Sequence, residues 1–188
     1  MEDQILVRKL QQGDEQAFFH LVKSYQHIVF NTVLSVIQNR DEAEDVAQEV
    51  FIQVYQSINQ FKGESKLSTW MYRIAITKSL DWQRRKKRKK RFAFIESLFG
   101  ADDSIRHDPP NFNHPGVAAE NKEQAALLFK AIAELPDNQK VAFTLNKVEG
   151  LNYQDVAEVM NVTVKAVEAY LHRAKQNLRK ELANHYQP

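Results

Sequence analysis

The chain has 188 residues, 43% of them hydrophobic and 27% charged, with a formal net charge of +2 and no cysteine. That is room for one large or two small packed domains, and the missing thiols exclude disulfides, thiolate metal sites and cysteine nucleophiles. The near-neutral total hides a segregation: residues 1–50 hold 4 basic and 9 acidic residues, whereas residues 51–91 hold 12 basic and 2 acidic.

A basic block beside an acidic block predicts two different partners for one domain. The first twelve residues, MEDQILVRKLQQ, start acidic and lack the apolar core of a secretory signal. No run approaches the roughly 18–20 apolar residues of a membrane span. The chain therefore reads as soluble and cytoplasmic.

With 5 glycines and almost no period-two alternation, the chain is predicted to be all-α. Helical spacing covers residues 14–37 and then 41–58, where Asp41 followed by Glu44 reads as a capping box. Val46, Val50, Val54 and Ile58 recur at spacing four on the second helix and are predicted buried. Asp45, Gln48, Glu49 and Gln53 lie on its other faces, with Phe51 and Tyr55 nearby. This acidic, amide-rich face is either ordinary solvated surface or a docking face for a basic partner helix.

Residues 61–66 (FKGESK) form a loop in which Gly63 allows a turn, and Ser68 or Thr69 is predicted to cap the next helix. On that helix Trp70, Ile74, Thr77 and Leu80/Asp81 follow helical spacing, while Tyr72, Arg73, Lys78 and Arg84 offer polar or cationic contacts. Trp70 is either a core tryptophan or a base-stacking one. The helix runs into RRKKRKKR at residues 84–91. Like charges in a row repel one another, so the run fits a polyanion, and nearby Trp70, Tyr72 and Trp82 suggest contact with bases as well as phosphates.

Residues 100–116 contain three prolines, are acidic and show no period, so they are read as a flexible linker between two helical domains. Helical spacing resumes over 117–135, 138–149, 153–160 and 163–182, punctuated by Pro136-Asp137 and Gly150. Val156, Ala157 and Met160 form the inner face of a short helix, Asn161-Val162 make a turn, and Thr163 caps a long helix. Its apolar stripe is Val164, Val167, Leu171, Ala174 and Leu178. Short helix, tight turn and long basic-ended helix form a DNA-reading helix-turn-helix. Thr163 and the first exposed turn would approach base edges, and Arg173, Lys175 and Arg179 would reach phosphates. Glu168 either accepts from a cytosine amino group or repels phosphate and sharpens discrimination.

The succession DEAEDVAQEVFIQVYQ, FKGESKLSTWMYRIA, LDWQRRKKR, ELPDNQKVAF and EGLNYQDVAEVMNVTVKAVEAYLHRAKQNL resembles the extracytoplasmic-function class of bacterial sigma factors over nearly the whole chain. The resemblance implies two small helical domains: a region-2-like bundle over 1–95 and a region-4-like helix-turn-helix over 122–188, joined by a linker over 96–121. It implies docking on core RNA polymerase through Asp41, Asp45, Gln48, Glu49, Phe51 and Val54. It implies capture of a flipped minus-ten base by the loop bearing Phe61, Lys62, Gly63, Ser65 and Lys66. The melted strand would lie along Ser68, Thr69, Trp70, Tyr72, Arg73, Lys78, Arg84 and Arg85. Minus-thirty-five reading falls to Tyr153, Thr163, Lys165, Ala166, Glu168, Ala169, Tyr170, His172, Arg173 and Lys175. Ala169 and Tyr170 stand where many relatives carry Ser and a basic residue, so the duplex sequence read does not carry over. A cognate anti-sigma protein is an implied partner.

No catalytic constellation, phosphate-cradling glycine motif or metal-ligand spacing appears, so neither enzyme activity nor a cofactor is expected. The alternative reading is a stand-alone helix-turn-helix regulator that binds duplex DNA without polymerase. The acidic helix and the FKGESKLSTW loop argue against it, since a repressor needs neither.

Overall fold

The structure, a computed structural model, describes residues 3–99 and 122–183, with side chains left out at 92–99 and 122–125. Among the described residues there are eight α-helices and no strand. An N-terminal bundle comprises α1 (Asp3–Gln11), α2 (Glu15–Ile37), α3 (Arg40–Ser57), a 3-10 turn (Ile58–Gln60) and α4 (Leu67–Phe99). A C-terminal unit comprises α5 (Lys122–Ala133), α6 (Asp137–Phe143), a π-helical turn (Thr144–Val148), α7 (Tyr153–Met160) and α8 (Val164–Ala183).

The bundle core forms where the spacing-four stripes meet. Val46, Val50, Val54 and Ile58 of α3 pack with Leu21, Val33 and Leu34 of α2 and Leu67, Met71 and Ala75 of α4. Helix α1 has no counterpart in the sequence reading, which begins at residue 14. Its signal is short, Leu6 and Leu10 one turn apart, and both are buried in the same core. Asp14 opens α2 by accepting from the backbone N–H groups of Gln16 and Ala17 at 2.9 and 3.0 Å. Gln38 closes it in the left-handed region, φ 60°, with its N–H on Leu34 O.

Two predicted starts are corrected. Asn39, not Asp41, caps α3, because its side-chain oxygen takes the Glu42 N–H at 3.0 Å. Glu44 does not reach back to close a capping box but pairs with Arg40 at 3.2 Å. Helix α4 begins at Leu67, so Ser68 and Thr69 sit inside its first turn and neither is the cap. At its other end α4 continues to Phe99, past residue 95. The proline-bearing segment read as a linker, 100–116, lies outside the described residues.

In the C-terminal unit the predicted helix over 138–149 holds its course but changes winding. Helix α6 widens into the π turn, which the Glu149 N–H closes on Thr144 O at 3.0 Å, and Gly150 at φ +74° releases the chain. Asn152 caps α7 through the Asp155 N–H, and Thr163 Oγ1 takes the Ala166 N–H as expected. Val167, Leu171, Ala174 and Leu178 are buried, as the stripe requires.

The two units touch. Val36, Tyr72 and Ile76 of the bundle share one apolar cluster with Val141, Leu145, Val156, Val159 and Leu171 of the C-terminal unit. The Gln38 side-chain amide also donates to Phe129 O on α5.

Candidate polymerase and nucleic-acid interfaces

The buried stripe of α3 decides which of its residues can meet a partner. Asp41, Asp45 and Gln48 are exposed, and Phe51 is half-buried against the core. Val54 is 0% exposed, which removes it from any docking face; spacing four from Val46 and Val50 puts it in the core. Sequence reasoning missed Ile52 and placed Tyr55 only near the acidic face. They are 55% and 53% exposed on the face that Asp45 and Gln48 share, and Tyr55 stacks edge-on against Phe18 at 5.2 Å. The available signal was spacing: Ile52 and Tyr55 fall outside the 46/50/54/58 stripe, at helical intervals from Asp45 and Gln48.

Glu49 does not stand free. It lies 4.0 Å from Lys78 Nζ and 3.8 Å from an Arg85 nitrogen. Glu42 pairs with Lys86, whose ammonium also lies 4.6 Å over the Trp82 ring. The acidic side of α3 thus partly neutralises the basic tract of α4. Arg84 pairs with Asp81 at 3.1 Å, and residues 87–91 point their charges to solvent.

The loop between the 3-10 turn and α4 is held at both ends. The Phe61 ring packs on Trp70 with centroids 5.1 Å apart, and Leu67 is buried. Trp70 therefore packs against the core and on the first residue of the loop, as the core reading of it requires. Lys62, Gly63 and Lys66 are exposed and Ser65 is half-buried, with Gly63 at φ +75°. Two clefts flank the loop. One of about 610 Å³ lies between the loop and α1. Another of about 390 Å³ is bounded by Trp70, Arg73 and Glu158.

On α4, Ser68 is half-buried and Thr69 is buried at 3%, which leaves Thr69 no route to a strand in this conformation. Tyr72 and Arg73 face the C-terminal unit. Arg73 donates from Nη2 to Glu158 O at 2.6 Å and from Nε to Val159 O at 3.3 Å. Those carbonyls end α7, where the helix dipole concentrates negative charge. The Tyr72 hydroxyl donates to Glu149 Oε2 at 3.4 Å. Burial pushes the Glu149 carboxyl up to about 7, with the Tyr72 hydrogen bond pulling the other way. Burial, followed by the nearby carboxylate, raises the Tyr72 hydroxyl as well. Lys66 reaches Asp155 at 3.6 Å.

The reading helix α8 is presented differently. Thr163, Lys165, Glu168, His172, Arg173 and Lys175 are exposed, whereas Ala166, Ala169 and Tyr170 are half-buried. Tyr170 packs against the shared cluster, so its ring is partly taken up by the fold. Tyr153, at the start of α7, is 38% exposed.

No group of three His, Cys, Asp or Glu side chains among the described residues could hold a metal, and none of the described helices is long and apolar enough to cross a membrane.

Comparison with known proteins agrees with this geometry. Residues 21–89 match the family model for sigma-70 region 2, and residues 125–178 match that for sigma-70 region 4. The chain is 33% identical to RNA polymerase sigma-H factor of Pseudomonas aeruginosa over 185 residues, 96% of this chain and 94% of the relative. It is 34% identical to ECF RNA polymerase sigma-E factor of Haemophilus influenzae over 186 residues, 97% and 96% of the two chains. Among solved structures, CnrH in complex with the cytosolic domain of CnrY superposes with a TM-score of 0.70 at 19% identity, covering 98% of this chain and 99% of that one. The sigma factor RpoE of Bartonella quintana, solved with the anti-sigma factor NepR, gives 0.64 at 19% identity, covering 88% and 96%. Two sigma-70 regions in chain order, with relatives matched end to end, make this chain a member of the extracytoplasmic-function sigma factors of bacterial RNA polymerase.

Proposed function

We propose that the chain carries out the sigma function through three separate surfaces, and that the closed conformation described above keeps one of them covered. A sigma factor binds core RNA polymerase, directs it to promoters and promotes strand opening; it is not an enzyme. The docking surface is the outer face of α3, with Asp41, Asp45 and Gln48 supplying acceptors and Ile52 an apolar centre. Glu49 contributes only after letting go of Lys78 and Arg85.

Strand capture falls to the 61–66 loop with Trp70, Tyr72, Arg73, Lys78, Arg84 and Arg85. The chemistry suits the task. Unstacking a base costs a few kcal/mol, which a pocket, an aromatic surface and cations along the phosphates offset. Duplex reading falls to Thr163, Lys165, Glu168 and His172 for base edges, with Arg173 and Lys175 on phosphates. The eight-residue basic run adds sequence-independent, salt-sensitive affinity.

The observation that carries this reading is the covering of Tyr72. That residue is 8% exposed in the cluster shared with the C-terminal unit, and the neighbouring Arg73 spends Nε and Nη2 on the α7 carbonyls, so a strand reaches Tyr72 only once the C-terminal unit leaves α4. Work of this kind belongs in the cytoplasm, beside polymerase and chromosome. We further read the exposed Ile52 and Tyr55 as a surface an anti-sigma partner would cover, by analogy with RpoE, which was solved in complex with the anti-sigma factor NepR.

Co-elution with bacterial core polymerase at moderate salt tests the docking surface. The wild-type chain co-elutes, and Asp45→Ala with Ile52→Ala does not. Retained co-elution by that double variant would remove α3 from the interface.

A further inference from the structure

The reading above gives α1 no part, yet the larger cleft beside the base-capture loop has α1 as its far wall. That cleft, about 610 Å³, sets Gln4, Val7 and Arg8 of α1 opposite Lys62, Ser65 and Lys66 of the loop. At its floor the Gln11 side-chain amide donates to two loop-side carbonyls at once, Ile58 O at 3.1 Å and Phe61 O at 3.2 Å. Ile58 O also accepts the Phe61 N–H at 3.1 Å, so the three groups form one closed clamp around the 3-10 turn.

We propose that α1 is the second wall of the base-capture site and that Gln11 is its positioning residue, fixing the height and tilt of the loop above Gln4 and Arg8.

The inference rests on assigning base capture to the 61–66 loop. Its physical basis is that a loop reads a base only when its backbone is fixed before the base arrives. Phe61 is the first residue of that loop. Its ring is set by Trp70 from α4, and its carbonyl is set by Gln11 from α1. Beyond Phe61 the chain turns at Gly63 and reaches Leu67 with Lys62, Glu64 and Lys66 exposed, so the two ends decide where the tip sits. A glutamine serves here because its amide nitrogen has two donors at a fixed angle, enough to span two carbonyls. Gln11 is itself exposed, so filling space is not its role. Gln4 offers donor and acceptor to a base edge, and Arg8 offers a cation to the adjoining phosphate.

The test uses holoenzyme reconstituted with bacterial core polymerase and a randomised single-stranded DNA pool. The wild-type holoenzyme selects a preferred sequence, and single-base variants of it then report discrimination. Gln11→Leu, which removes both donors, is expected to reduce discrimination at the captured base by roughly tenfold. Affinity for a poly-dT strand and for core polymerase stays unchanged. Gln11→Glu, which keeps the size and turns acceptors toward the two carbonyls, is expected to do the same, so a folding defect peculiar to leucine would be recognised. Arg8→Ala weakens all selected strands alike.

If both Gln11 variants discriminate like wild type, or lose poly-dT affinity and discrimination together, the positioning role is wrong. Failure of the base-capture reading looks different: holoenzyme carrying Lys62→Ala and Ser65→Ala, which leave Gln11 intact, would keep the wild-type preferences.

Discussion

The two helices proposed to face DNA, α4 and α8, are prepared to different degrees. Helix α8 buries a narrow stripe, Val167, Leu171, Ala174 and Leu178, and leaves Lys165, Glu168, Arg173 and Lys175 in solvent. Helix α4 carries far more positive charge, but much of its first half is engaged within the molecule. Arg73 holds the end of α7, Tyr72 meets Glu149, and Lys78, Arg85 and Lys86 pair with acids of α3. Duplex recognition can therefore precede strand capture. On the proposed roles, a strand has to replace the carbonyls and carboxylates that already engage α4, which would protect against binding stray single strands.

The largest effect on this comparison comes from breaking the shared apolar cluster. Ile76 is 8% exposed and lies on α4 among C-terminal partners. Ile76→Gln buries an amide there and is expected to weaken docking of the two units by about 2 kcal/mol. A fluorescence-transfer pair, one label on each unit, should report greater separation, and affinity for a single strand should rise. An unchanged distance would mean that the two units do not come apart at this face.

Proton linkage should be the next largest. The Glu149 carboxyl is raised from its ordinary 4.5 to about 7 in the docked state, so docking favours its protonated form. Docking is then tightest near pH 4.5, weakens as pH rises toward about 7, and is level above that. The slope is at most about tenfold per pH unit, and partial solvent access reduces it. Glu149→Gln should flatten the profile at the tight end. A profile identical to wild type would place the titration elsewhere.

On the uncovered side, Thr163→Ala removes the cap of α8 and should cost about 1 kcal/mol in thermal unfolding of the C-terminal unit. Duplex affinity falls with it while single-strand affinity holds. Smallest of all is Asp155→Ala. Its partner Lys66 is 70% exposed, so the 3.6 Å pair should contribute under about 1 kcal/mol. A large loss of docking would show that the pair is worth more than its solvent exposure allows.

Much of this was legible from residue order alone. Spacing-four valines located the α3 core, the 3-4-3-4 stripe located α8, and Thr163 marked its start, because periodicity and capping are local. What escaped was set by tertiary contact. Asn39 rather than Asp41 caps α3 because the helix starts two residues earlier than the acidic run suggests. Val54 is a core residue by its spacing, and only the family resemblance put it on the docking face; its 0% exposure decides for the spacing. Helix α1 has only Leu6 and Leu10 to announce it. Nothing local to Tyr72 or Arg73 shows that residues 77 and 85 positions away in the chain occupy them.

The most direct measurement exploits the absence of cysteine. Lys66→Cys with Asp155→Cys, joined by a short bis-maleimide, would lock α7 onto the strand face without disturbing α3 or α8. Holoenzyme carrying the tethered chain should bind a promoter duplex with normal affinity yet leave it unopened by permanganate footprinting, while the untethered variant, which lacks Lys66 of the capture loop equally, still opens it. Opening by the tethered chain at the untethered rate would contradict the claim that α7 must leave α4 before the strand is held.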